Sequence, residues 1–214
     1  MDKEQWDSYL NVINQKGGGN EGCCPNVLGK LLEHVPTADG QHNYALDVGV
    51  GTGGEVDKLQ KKGYAVVACD LIPQNEQIIK ADMHELPFPN ELFDLVLFNQ
   101  SFEHALAPYI VLCEANRVLK NGGFLAISWP MPCERWLKDA QHYSILTRGQ
   151  IEALLNRCSF IVEYYSQVSE DGSAAEEQQM QIILARKLAD PVRQVLGSQV
   201  VEKPKEEVKA EVLA

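Results

Sequence analysis

The most informative run of the 214-residue sequence is Ala45-Leu46-Asp47-Val48-Gly49-Val50-Gly51-Thr52-Gly53-Gly54, where an apolar, strand-like stretch meets four glycines. Without Cβ atoms such a turn can take positive φ and let a ligand touch the backbone. The free N–H groups of a helix that follows favour negative or polar ligand groups. The spacing alone admits two ligand classes. Gly49-x-Gly51-x-x-Gly54 satisfies the dinucleotide fingerprint, whereas Asp47-x-Gly49-x-Gly51-x-Gly53 follows a different glycine pattern. Asp70 ends the next apolar run, 19 residues beyond Gly51. An acid at such a strand tip in a doubly wound fold accepts hydrogen bonds from vicinal ribose hydroxyls. Ordinary turn chemistry at a strand end is the plainer alternative.

Downstream, Glu103 and His104 lie within five residues of Asn99. An imidazole there could take a proton from a hydroxyl or an acidic carbon, so His104 is the first candidate general base and His142 the second. Capping or a solvated surface position is the competing explanation for each. Phe102, Tyr109, Trp129, Trp136 and Tyr143 are candidate walls of a substrate pocket, although such aromatics also build plain core. The six cysteines show no Cys-x-x-Cys or Cys-x-x-His spacing, so they read as reduced thiols and no metal site is expected.

These residues must be positioned by alternating strands and helices. Strand patterns cover Tyr44 to Val48, Ala65 to Cys69, Gln77 to Ala81, Phe93 to Phe98 and Phe124 to Trp129, with spacers that are helical or long enough to cross a sheet. That alternation predicts a parallel sheet with helices on both faces. Ahead of it, Trp6, Tyr9, Leu10 and Ile13 form one helical stripe before the glycine-rich hinge of residues 17–22, and Pro25 opens a second helix stopped by Pro36. The helix after the first strand has Glu55 and Asp57 in its first turn and lysines near its end, opposing the macrodipole. Pro108 begins another, and Thr147-x-x-Gln150 is a capping box for a third. The last two strands, Phe160 to Val168 and Gln179 to Ala185, are joined by a polar loop too short for a crossover, so they should pair antiparallel.

From Tyr44 to Lys187 the chain resembles the class I S-adenosylmethionine-dependent methyltransferases, in the small-molecule and ubiquinone-type branch. Leu46-Asp47-Val48-Gly49-Val50-Gly51-Thr52-Gly53 resembles the family's first motif, and Val67-Ala68-Cys69-Asp70-Leu71 its second. Ala81-Asp82-Met83-His84-Glu85-Leu86-Pro87-Phe88 is similar to the stretch that flanks the adenine, Phe93 to Asn99 to the fourth strand, and Glu114-x-x-Arg117-Val118-Leu119-Lys120-x-Gly122-Gly123 to the approach to the fifth. The resemblance implies a Rossmann-like, doubly wound seven-stranded sheet in the order 3-2-1-4-5-7-6, the seventh strand antiparallel, with S-adenosyl-L-methionine as cofactor. By position, Gly49, Gly51 and Gly53 would line the methionine part and Asp47 would hold its amino group. Asp70, with Leu71 beside it, would bind the ribose, Asp82 the adenine amino group, Met83 would pack near the ring, and Asn99 would offer its carbonyl to the ammonium. Members that methylate exocyclic amines of adenine or glutamine carry two prolines after the fourth strand, and Asn99-Gln100-Ser101-Phe102 has neither.

A net charge of −11 disfavours nucleic acid as acceptor, leaving a small-molecule substrate as the expected partner. The polar N-terminus and the lack of a membrane-length apolar run point to a cytoplasmic protein. Residues 1–43 are expected to form N-terminal helices and a possible lid, 44–187 the cofactor-binding domain, and 188–214 a disordered tail. Two other readings stay open on sequence: a nicotinamide-dependent oxidoreductase that uses Gly49, Gly51 and Gly54, and a catalytically silent methyltransferase-fold binding module.

Overall fold

A computed structural model describes residues 24–38 and 43–188. The stripe of Trp6, Tyr9, Leu10 and Ile13, its hinge and lid, and the tail from residue 189 onward lie outside the described residues. Seven strands form one sheet: β1 (Tyr44–Val48), β2 (Ala65–Asp70), β3 (Ile79–Lys80), β4 (Phe93–Asn99), β5 (Leu119–Pro130), β6 (Phe160–Ser169) and β7 (Gln179–Lys187). Their order is β3-β2-β1-β4-β5-β7-β6, as the family resemblance implies. β1 to β5 pair in parallel, and β7 runs antiparallel to both β5 and β6, as the short polar connection requires.

Helices cover both faces because successive strand residues point to opposite sides. Ala45, Leu95, Leu97, Ala126, Ile182 and Leu184 pack with Leu28, Leu31 and Leu32 of α1 (Pro25–His34) and Leu59 of α2 (Val56–Lys61). Their chain neighbours Leu46, Val96, Phe98, Leu125, Ile127 and Ile183 pack the other way, against Val111, Leu112 and Ala115 of α3 (Pro108–Val118) and Ile151 and Leu155 of α5 (Arg148–Arg157). A short α4 (Glu134–Leu137) lies between β5 and α5. Pro25 and Pro108 occupy first-turn positions where a missing N–H costs nothing, and the Thr147–Gln150 capping box forms as predicted.

The third strand is shorter than the sequence pattern of Gln77 to Ala81. β3 is only two residues long, because the N–H groups of Gln77 and Ile78 are already given to the Asn75 side chain (2.9 Å) and Asn75 carbonyl (3.3 Å). The ladder therefore starts at Ile79. Residues 71–78 and 81–92 on either side of β3 are turns, spacers of the kind long enough to cross the sheet without a helix. β1 and β4 are neighbours in the sheet, but the chain leaves β1 toward β2 and leaves β4 toward β5. The crevice beyond their carboxyl ends is the switch point where open α/β sheets bind ligands.

Candidate functional site

The turn leaving β1 holds Gly49, Gly51 and Gly53 at φ of 74°, 55° and 90°, the left-handed region, whereas Gly54 is not among the positive-φ glycines. Gly49 has a second reason to be glycine: a Cβ there would sit 2.5 Å from Ser101 Cβ. Ser101 is held in that place by donating its buried hydroxyl to the Val48 carbonyl at 2.7 Å. Asp70, at the tip of β2, fastens the turn from the side. Its Oδ2 accepts from Gly51 N–H at 2.9 Å and its Oδ1 from Ile72 N–H at 2.8 Å. A carboxylate oxygen has two lone pairs, so each retains acceptor capacity for a ligand hydroxyl. Leu71 follows it, partly buried.

Behind the turn is a concentration of negative charge. Asp47 is 1% exposed, and its Oδ2 has no hydrogen-bond partner among the described residues. Glu55, 7% exposed, accepts from Asn99 Nδ2 at 3.1 Å. Asn99 Oδ1 accepts from Ser128 Oγ at 2.7 Å, and Ser128 Oγ in turn receives Gln100 Nε2 at 3.1 Å. Burial, followed by repulsion from Glu55 and Asp70, pushes the Asp47 carboxyl well above the usual carboxylate range. Burial also pushes the Cys69 thiol up to about 12, with Asp47 and Asp70 adding to it. No lysine or arginine pairs with Asp47, Glu55 or Asp70 among the described residues. The arrangement suits a ligand that brings its own positive charge and donors.

Past β3, Asp82 Oδ1 accepts from His84 N–H at 2.9 Å and from His84 Nδ1 at 2.7 Å. His84 Nε2 accepts from Ala107 N–H at 3.2 Å, so the ring carries its proton on Nδ1 and ties the Asp82 turn to the start of α3. Met83, beside it, packs partly buried against the larger core.

Beyond β4, the 3-10 turn Phe102–His104 meets the loop before α5. The Glu103 carbonyl accepts from Tyr143 N–H (2.8 Å) and Ser144 N–H (2.9 Å), and Ser144 Oγ donates to the Ala105 carbonyl at 2.6 Å. His104 Nδ1 lies 2.9 Å from the Gln141 carbonyl, which can only accept, so this nitrogen is the donor and Nε2 of the neutral ring keeps its lone pair. The two candidate bases are thus brought together, with ring centroids of His104 and His142 5.1 Å apart and Trp136 5.5 Å from His142. Of the expected pocket walls, Phe102 and Trp129 are instead fully buried core, Phe102 edge-on to Phe98 and Trp129 bonded through Nε1 to the Leu146 carbonyl. Tyr109 is exposed on α3.

Residues 46–127 match the protein-family model for a methyltransferase domain. An uncharacterized methyltransferase of Mycobacterium tuberculosis is 32% identical over 106 residues, covering 44% of this chain and 43% of that protein. The sarcosine/dimethylglycine N-methyltransferase of Halorhodospira halochloris is 32% identical over 112 residues, covering 44% and 40%. The chain therefore spans less than half the length of each. These matches make the middle of the chain similar to methyltransferase domains. The fold agrees: Burkholderia thailandensis 1,6-didemethyltoxoflavin-N1-methyltransferase, solved with 1,6-didemethyltoxoflavin and S-adenosylhomocysteine bound, superposes with a TM-score of 0.63 at 20% identity, covering 86% of each chain.

The residues present fit S-adenosylmethionine, the cofactor of class I methyltransferases, because the open Asp47 oxygen and the spare acceptors of Asp70 complement an ammonium, a sulfonium and ribose hydroxyls. Glu55, Ser101 and Ser128 belong to the same constellation and escaped the sequence reading. Glu55 was already accounted for by the helix dipole, and the two serines reach the site only through the fold, from 53 and 29 residues away from their partners Val48 and Asn99.

Proposed function

We propose that this protein transfers the methyl group of S-adenosylmethionine to a small-molecule acceptor at the crevice beyond β1 and β4. The observation that carries the reading is the buried Asp47 carboxylate, with its open oxygen, beside Glu55 and Asp70 at a glycine turn. A nicotinamide dinucleotide would bring its pyrophosphate against these three acids. The Gly51 N–H it would need is already given to Asp70, so the oxidoreductase reading is disfavoured.

In this reading the cofactor supplies an activated methyl whose sulfur leaves as a neutral thioether. The protein's part is to hold, align and exclude water. Gly49, Gly51 and Gly53 line the methionine portion, Asp47 accepts from its ammonium, and the Asn99 carbonyl adds a second acceptor. Asp70 takes the ribose hydroxyls with Leu71 alongside, Asp82 the adenine amino group, and Met83 packs on the ring. His104, with Nε2 free of the proton in its neutral form, takes the acceptor's proton. The −11 charge supports a small molecule over a nucleic acid.

Isothermal titration with S-adenosylhomocysteine should give binding that Asp70→Ala weakens about tenfold or more, as expected for lost hydrogen bonds to a charged acceptor. Unchanged affinity would remove Asp70 from the ribose. His104→Ala should keep cofactor affinity while turnover, scored as S-adenosylhomocysteine release over a metabolite panel, falls by about 100-fold or more. Thermal stabilisation by NAD and not by S-adenosylhomocysteine would overturn the whole reading. Cofactor binding with no release on any acceptor would favour the silent binding module.

A further inference from the structure

We propose that Glu103, His104 and His142 form a site for one divalent transition-metal ion of the zinc type, placed where it can hold the methyl acceptor. The three side chains each offer a ligand atom, and these atoms lie within 4.8 Å of one another. Two imidazoles and one carboxylate with a free fourth position are the ligand set of catalytic rather than structural zinc, and nitrogen donors select zinc over magnesium or calcium.

Three features make this a built site rather than a chance meeting of surface groups. Glu103 is 2% exposed, so its carboxylate is held in the protein rather than in water. The two segments that carry the ligands are laced together at the backbone, the Glu103 carbonyl receiving Tyr143 and Ser144 N–H directly after His142. His104 also donates Nδ1–H to the Gln141 carbonyl, the outer hydrogen bond that fixes the tautomer of metal-binding histidines and leaves Nε2 as the nitrogen available to an ion. A four-coordinate ion with bonds of about 2.0–2.2 Å needs ligands roughly 3.4 Å apart, so the three ligand atoms, now within 4.8 Å of one another, would draw together on binding. The absence of a metal motif in the sequence followed from cysteine spacing, and this set contains no cysteine.

The cluster starts two residues after Ser101, whose hydroxyl holds the Val48 carbonyl at the start of the glycine turn. An ion there would face the acceptor side and lower the pKa of a bound hydroxyl, taking over the task of His104 as base. That role rests on the methyl-transfer reading, whereas metal binding does not.

The test uses the full chain, stripped with chelator under reducing conditions and titrated with zinc(II) by calorimetry and with cobalt(II) by visible absorption. One ion per chain is expected, with d–d bands of a low-coordinate nitrogen and oxygen site. His142→Gln and His104→Gln should each lower affinity at least tenfold, while S-adenosylhomocysteine affinity of the metal-free His142→Gln protein stays at the wild-type value. Because Glu103 is buried, Glu103→Gln is judged only alongside these two histidine variants. Absence of stoichiometric binding, equal affinity in the double histidine variant, or cobalt spectra dominated by sulfur charge transfer would overturn the site. Metal binding without any S-adenosylhomocysteine binding would leave the site standing and overturn the methyl-transfer reading instead.

Discussion

Two acidic sites in this molecule have opposite surroundings. At the glycine turn, Asp47, Glu55 and Asp70 face one another without a basic partner among the described residues, and the Asp47 carboxyl is held well above its usual range by burial and repulsion. On α3, Glu114 is saturated: Arg117 Nε donates to Oε1 at 2.7 Å, while Arg117 Nη2 and Leu86 N–H both donate to Oε2 at 2.8 Å. Arg117 also donates to the carbonyls of Phe88 at 2.7 Å and Leu86 at 2.8 Å. The Arg117 hydrogen bond, helped by the Leu86 N–H, holds the Glu114 carboxyl below its usual range. The second site is complete and serves the fold, clamping the loop behind the Asp82 turn to α3. The first is incomplete in the same sense that the second is finished, and a cationic ligand of the kind proposed above would complete it.

The largest effect should come from breaking the turn that shapes the first site. Gly49→Ala adds a Cβ that collides with Ser101 and strains a left-handed residue. Denaturant unfolding should show a loss of about 3 kcal/mol, with S-adenosylhomocysteine binding abolished. Gly53→Ala, where a Cβ meets nothing within 4 Å, should cost only the backbone strain, about 1 kcal/mol.

Next comes the clamp. Arg117→Ala leaves Glu114 and two backbone carbonyls short of donors and should destabilise by about 2 kcal/mol in the same assay. A loss no larger than that of an ordinary surface substitution would mean that the clamp is not structural.

The smallest change in stability, and the sharpest contrast, is Asp47→Asn. A folded-state pKa above the unfolded value favours folding at low pH and penalises it as pH rises through the folded value. The native Asp47 therefore costs stability at neutral pH. Asp47→Asn should raise the melting temperature of the cofactor-free protein at pH 7 while weakening S-adenosylhomocysteine about tenfold or more. Glu114 has the opposite sign. Its lowered pKa stabilises the fold above the usual glutamate value of 4.5, and that contribution is lost as pH falls through the folded value. Glu114→Gln should accordingly flatten the acid limb of the stability profile, and Asp47→Asn the neutral one.

The strands were legible because residues such as Leu95 to Phe98 are buried from both faces and read as continuous apolar runs. The antiparallel last pair was legible because residues 170–178 cannot form a crossover. The length of β3 was not, because two of its expected N–H groups went to Asn75, a local competition that hydrophobic pattern does not reveal. In the site, the glycines and Asp70 stood out by type and spacing. His104 and His142 were separate candidates until the Glu103 carbonyl drew their segments together.

By itself, then, the sequence determined the parallel alternation, the glycine turn with its acid 19 residues on, and the negative balance of charge, since propensity, spacing and composition are local or additive properties. Only the tertiary structure decided that Asp47 has an open buried oxygen, that Glu55 and Ser128 join its network, and that two imidazoles and a carboxylate share one place. Those facts depend on desolvation and on contacts between strand tips and loops far apart in the chain, and no run of consecutive residues encodes them.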